Sequence, residues 1–331
     1  LSQNEQPCAI YGGQAVIEGV MFAGQTVHVT AVRRKDNSIH FLEVPKTEVG
    51  WVKALKKVPL IRGIVGIVEA SAKGAQHLNF SAETFAEGED EAESPKAEQK
   101  ESLTGRLSLI LGVAVVGILS FLFGKFVFTL VPTIIEEVLF GRLFVSQIGH
   151  NLLEGLIKII LLIAYIYFIS LTPMIRRLFQ YHGAEHKVIS AYEAGVELTV
   201  ENVQKFSTLH YRCGSSFIVF TVLVGVVIYS FFEYNSFIER IVQRIVLLPL
   251  VIGVSYEVLR FTNSLRDVPV LRVLGYPGLW LQLLTTKEPD DSQVEVSIAS
   301  FNRMRALDQQ VFERTAVTST GIQMELGRNP R

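Results

Sequence analysis

Four apolar blocks, at 107–131, 152–172, 215–232 and 245–258, constrain this 331-residue chain more than any other feature. A helix needs about 20 mostly apolar residues to cross the hydrocarbon core of a bilayer. Inside that core a backbone can satisfy its polar groups only within its own helix. Each block is therefore expected as a transmembrane helix. The fourth is the shortest, interrupted by Pro249 and closed by Glu257. Few ionisable residues interrupt the blocks. Lys125 lies in the first, and Glu154 and Lys158 in the second. Lysines near span ends extend toward the headgroups, and Glu154 and Lys158, four apart, can neutralise each other.

Lys and Arg near the spans set the expected orientation. Lys96, Lys100 and Arg106 precede the first block, and Arg176, Arg177, Lys187, Lys205 and Arg212 lie between the second and third. Arg260, Arg266 and Arg272 follow the fourth, while the two opposite loops hold Arg142, Arg240 and Arg244. Both termini and the central loop are thus expected in the cytoplasm of a multi-pass protein of the cell membrane. The polar start, "LSQNEQP", lacks the basic and then apolar pattern of a cleaved signal peptide, so internal spans are expected to drive insertion. A net charge of −1 offers no field to draw nucleic acid, which is not an expected partner; membrane lipid is. Two cysteines, Cys8 and Cys213, make no disulfide framework.

The expected fold class is a mainly α membrane protein with about four transmembrane helices, a small N-terminal β-containing cytoplasmic domain and an interfacial helix. Residues 1–82 hold the β unit and the amphipathic helix. "QAVIEGVMF", "TVHVTAVRR" and "IHFLEV" are rich in strand formers, with the turn "KDNS" between the last two. Within the first, Gln14 and Glu18 are an even number apart and fall on one side of a strand. From Pro59 to about Ala82, Arg62, Gly66, Glu69, Lys73 and Gln76 form a narrow polar stripe on an otherwise apolar helix, which suits a membrane interface. Residues 83–106 are expected as a disordered acidic linker, since 83–101 carries eight acidic residues and two lysines. The membrane domain occupies 107–260, with a cytoplasmic His/Cys loop at 176–214. The C-terminal segment, 261–331, holds a helix starting near Asp290 and a loose tail, and Trp280 suits an interfacial anchor.

Chemistry concentrates in the central loop. "YHGAEHKVISAYE", 181–193, is expected as helix ending at Gly195. At about 100° per residue, His182, His186 and Glu193 share one face and Glu185 stands beside it. His at i and i+4 lets two imidazoles reach one ion. "LHYRCGSS" adds His210 and Cys213, and imidazole with thiolate is the donor set zinc prefers. A divalent metal, zinc by ligand type, is thus expected on His182, His186, His210 and Cys213. "HGAEH" also fits the H-x-x-E-H pattern, in which the glutamate is base to a metal-bound water; this gives Glu185 the catalytic role. Glu193 and Glu257 are candidate further ligands, and Gln14 and Glu18 candidate polar site residues. Each also has a plain alternative: surface histidines, a packing cysteine, or Glu257 neutralised by Arg260.

Five stretches together carry a family resemblance: "YGGQAVIEGVM" (11–21), "YHGAEHKVISAYE" (181–193), "LTVENV" (198–203), "LHYRCGSSF" (209–217) and "YPGLWLQLLTTKEPDDSQVEV" (276–296). The chain resembles the YqhQ-like bacterial membrane proteins, a domain-of-unknown-function family described as predicted metal-dependent enzymes. The family pattern continues the first stretch with Met-Arg-Gly, where Phe22, Ala23 and Gly24 stand here. Two functions are expected from the residues and the resemblance. One is a metal-dependent hydrolase working at the cytoplasmic membrane surface. The other is a non-enzymatic factor for membrane-protein biogenesis or scaffolding, with a structural metal and membrane-protein or translocation machinery as partners.

Overall fold

The computed structural model describes residues 11–47, 50–90, 124, 127–143, 146–265, 268 and 271–326. The chain opens with a four-stranded antiparallel meander, β1 (Gly12–Val16), β2 (Gly19–Ala23), β3 (Val27–Arg33) and β4 (Ile39–Pro45), in sequential order. "QAVIEGVMF" is not one strand. It folds at Ile17 and Glu18 into the β1–β2 hairpin, with Val16 opposite Gly19. Glu18 takes a left-handed φ of 51° in that turn, so it does not share a strand face with Gln14 as expected. The "KDNS" turn forms as expected, with Asn37 at φ 67°, a conformation asparagine tolerates.

Three distant parts of the sequence bury one core. Val20, Phe22, Val29 and Ala31 of the sheet meet Tyr181, Ala184 and Val188 of helix α5 (Pro173–Glu193), and Phe301 and Met304 of helix α11 (Asp291–Leu326). Asp308 fastens α11 to the β2–β3 turn, accepting from the N–H groups of Gln25 and Thr26 at 2.6 and 2.8 Å. The N-terminal, central and C-terminal segments, expected as separate regions, therefore share one core. Helix α11 also continues well past 314, into the stretch expected to be loose.

The other face of the sheet meets helix α2 (Ile61–Asp90), which follows the short α1 (Gly50–Leu55). Helix α2 runs through 83–90, so this part of the expected acidic linker is helical; 91–106 lie outside the described residues. Gly63, Gly74, His77, Ser81 and Thr84 face inward, while Trp51, Ile61, Val68 and Leu78 are exposed. The inward face is thus small and polar, and much of the outward face is apolar.

The same inversion marks α3 (127–140), α4 (Gln147–Ser170), α8 (Phe237–Val246) and α9 (Leu248–Ser264), whereas the short α6 (Val200–Gln204) and α7 (Ser216–Tyr229) bury apolar side chains such as Val203, Phe220 and Val222. Among the described residues one helix, α4, is long and apolar enough to cross a membrane, about 36 Å at 1.5 Å per residue. Most of the first apolar block lies outside the described residues. The third block gives α7, 14 residues or about 21 Å. The fourth is not continuous, because the chain breaks at Leu247 between α8 and α9. Leu152, Leu156, Ile160, Ile238, Val242 and Ile245 are exposed, whereas Glu136, Glu154, Arg240 and Arg244 are at most 2% exposed. The expected ion pair of Glu154 with Lys158 forms. That contact is 3.9 Å, while Arg240 and Arg244 approach to 2.7 and 2.9 Å. Arg240 also binds Glu136 at 2.6 Å, and Arg244 binds Asn151 at 2.5 Å. Arg240 and Arg244 are therefore buried partners, not free loop charges.

Candidate metal centre

Helix α5 carries the centre. Pro173 opens it, since proline at a first helical position gives up an N–H that would have no partner there. It ends as expected: Gly195 takes φ 69°, its N–H reaches Tyr192 O at 3.0 Å, and the Val196 N–H reaches Ala191 O at 3.1 Å. His182 and His186 lie one turn apart, with ring centroids separated by 4.5 Å. The loop before α7 then brings in Cys213, whose Sγ is 3.2 Å from His182 Nε2. The donor atoms of His182, His186 and Cys213 all lie within 4.8 Å of one another.

Backbone carbonyls fix both imidazoles. His182 Nδ1 is 2.9 Å from Thr285 O, and His186 Nδ1 is 2.5 Å from Thr208 O. A carbonyl can only accept, so each Nδ1 carries a proton, and in the neutral ring Nε2 then presents a lone pair. This second set of bonds is what a metal-binding histidine uses to hold its tautomer and orientation. Burial, and then His182 beside it, hold the His186 pKa well below the usual imidazole range, leaving it a neutral donor. Burial raises the Cys213 thiol, while its bonds with Ser215 oppose that shift. Two imidazoles and a thiol form a coherent set for a zinc-type ion, and three donors leave a fourth tetrahedral position open.

Glu185 occupies the same turn of α5 and is 5% exposed. Burial pushes its carboxyl up to about 7, with the Gly13 N–H among the groups that favour the charged form. Gly13 is the residue that allows this approach. A Cβ there would stand 2.9 Å from Glu185 Cδ and 2.7 Å from Met21 O. A cavity of about 310 Å³ opens between this strand and the three candidate ligands, and His210 and Gln14 also border it.

The other sequence candidates fall into two groups. His210 stays beside the centre, its ring 5.7 Å from that of His186, but it is not among the three clustered donors. Its Nε2 is 3.6 Å from Glu193, and Gln282 grips its N–H and C=O at 2.9 Å each. Glu193 pairs with Arg212 and His210 instead of reaching the cluster. Glu257 pairs directly with Arg62 of α2, with Arg260 adding a weaker attraction, and it does not reach the centre. Glu18 holds Arg177 through both carboxylate oxygens at 2.5 Å, tying the hairpin turn to α5. Thr208, Thr285 and Gly13 were missed because they act through backbone atoms. The "TTKEP" segment crosses α5 where a Cβ on Gly183 would overlap the Lys287 carbonyl oxygen.

Comparison with known proteins agrees in extent. A family model described as "Protein of unknown function (DUF1385)" matches residues 58–307. The chain is 53% identical over 313 residues to "Uncharacterized protein YqhQ" of Bacillus subtilis (strain 168), covering 94% of this chain and 97% of that protein. No solved structure matches the chain.

Proposed function

The chain belongs to the DUF1385 family of proteins of unknown function, and we propose that it is a metal-dependent hydrolase at the cytoplasmic surface of a multi-pass membrane domain. The observation that carries this reading is the arrangement of His182, His186 and Cys213 around a cavity that Glu185 also borders. His182, His186 and Cys213 would hold the ion, which supplies a polarised water and a positive charge for an oxyanion. Glu185, held by Gly13, accepts the proton of that water and returns it to the leaving group. His210, kept in place by Gln282, borders the cavity as a donor to substrate. Both termini share the side of the centre.

The inverted burial supports membrane residence beyond α4. Buried Glu136, Glu154, Arg240 and Arg244 beneath exposed leucine, isoleucine and valine suit a lipid surround, where charge turns inward. The apolar outer face of α1 and α2 lies on the interface, and exposed Trp280 anchors α10 (Tyr276–Thr285). A closed structural metal in a scaffolding protein is the competing account. Glu185→Gln separates the two. It is expected to retain zinc and lose hydrolysis, whereas in a scaffold it leaves metal and cellular function both intact. Loss of metal in Glu185→Gln would contradict the role given to this carboxylate.

A further inference from the structure

The short α1 and the first turns of α2 carry cations that the metal centre does not use. From Lys46 to Lys73 the chain holds six of them, Lys46, Lys53, Lys56, Lys57, Arg62 and Lys73, against two glutamates, Glu48 and Glu69. Glu69 bonds both Lys56 and Lys73, and Arg62 is matched by Glu257 of α9. Lys53 and Lys57 are exposed. So are Trp51 of α1 and Val58, Leu60 and Ile61 around the turn that joins the two helices. That turn is held firmly. Leu60 takes a left-handed φ of 67°, a strained conformation for leucine that persists only where the surroundings impose it. Its N–H reaches Glu257 Oε1 at 3.2 Å, and a Cβ on Gly253 would stand 2.9 Å from its carbonyl oxygen. A Cβ on Gly63 would run into the Tyr256 side chain. The exposed tip is thus pinned to α9, whose Phe261, one turn past Glu257, is itself exposed.

An exposed tryptophan among aliphatic side chains, continuous with the apolar outside of α9, suits the boundary between headgroups and acyl chains. The excess of lysine around it suits a negative surface, which attracts each cation that lies within a Debye length. A soluble protein would have to displace lipid from α9 to reach the same tip. We propose that α1 and the α1–α2 turn dock on anionic phospholipids, with Trp51, Val58, Leu60 and Ile61 entering the interface and Lys53 and Lys57 meeting the phosphates. This partner rests on the membrane residence argued above. It also bears on the centre. Helix α2 packs on Gln14 at Gly74, where a Cβ would stand 2.5 Å from Gln14 Oε1, and Gln14 borders the cavity. Docking of the tip therefore sets the height of the cavity above the leaflet.

The test places the full chain in nanodiscs of phosphatidylglycerol and phosphatidylcholine in equal amounts, with bromine on the acyl chains of one lipid at a time. Bromine quenches a tryptophan that it touches. The chain has two tryptophans, so Trp280→Phe leaves Trp51 as the reporter and Trp51→Phe leaves Trp280. Brominated phosphatidylglycerol is expected to quench Trp51 at least about twofold more than brominated phosphatidylcholine does. That excess is expected to vanish at about 1 M salt, where the Debye length is about 3 Å. The paired change Lys53→Gln and Lys57→Gln, at exposed positions, is expected to remove it too, with melting and the quenching of Trp280 unchanged. Equal quenching of Trp51 by the two lipids, or an excess that survives both salt and the paired change, would overturn anionic docking. Quenching of Trp280 without quenching of Trp51 would overturn docking on lipid and give the tip to a protein partner. Quenching of neither would overturn the membrane residence as well.

Discussion

Removing the charge of Glu154 is expected to be among the most destabilising single changes away from the metal centre. Its carboxylate accepts from Arg240 at 2.7 Å and from Arg244 at 3.1 and 2.9 Å. All three side chains are at most 3% exposed. In Glu154→Gln the two guanidiniums keep their burial and lose their shared counter-charge, with Glu136 and Glu137 left to Arg240 and Asn151 and Gln243 left to Arg244. Stripping one member from a buried ion network costs about 3–5 kcal/mol, because the remaining charge stays desolvated. At about 2–4 °C per kcal/mol for a domain of this scale, melting should fall by roughly 6–20 °C. The assay is thermal unfolding in detergent at one scan rate, followed by near-ultraviolet circular dichroism. Glu43→Gln is the control, since its partner Arg303 is 51% exposed and such pairs are worth about 0–1 kcal/mol. Equal, small shifts in the two variants would refute the idea that a buried network welds α8 to α3 and α4.

Gly183→Ala should lower stability by about 1–3 kcal/mol in the same assay, because its Cβ runs into Lys287 O. Gly214→Ala, with open space at that position, should not. Glu185 binds its proton more tightly in the folded chain, at about 7 against an ordinary 4.5. The metal-free protein should therefore lose stability as pH rises from about 4.5 to about 7, and melting curves of Glu185→Gln should lack that slope. A cysteine replacing exposed Asn235 should react with an impermeant thiol reagent from outside the cell; labelling only from within would contradict the orientation.

The sequence carried local signals well and distant ones poorly. The end of α5 at Gly195 and the facing of His182 and His186 follow from helical period and a C-terminal glycine. The pairing of His182 with Cys213 was legible as chemistry, because few residue types bind zinc. His210 was grouped with them by the same logic, but Glu193 and Gln282 hold it just outside the cluster. Nothing in residue identity announces that Thr208 and Thr285 supply carbonyls, or that Gly13 supplies an N–H. The β1–β2 hairpin hid inside an apolar run because its turn uses Ile17 and Glu18 instead of Gly, Asn or Pro. The joining of sheet, α5 and α11 into one core depends on contacts about 110 to 280 residues apart, such as Gln293 with Gln180 and Ser300 Oγ with Val20 O at 2.9 Å. Arg240 and Arg244 looked like loop charges because their helix is short, and only folding shows Glu154 beneath them.

The most direct test of the account is the metal content of detergent-purified protein, with wild type beside His186→Ala and Cys213→Ser. The account predicts about one zinc per wild-type chain and its loss in both variants. A folded, metal-free wild type, or zinc retained in both variants, would contradict it.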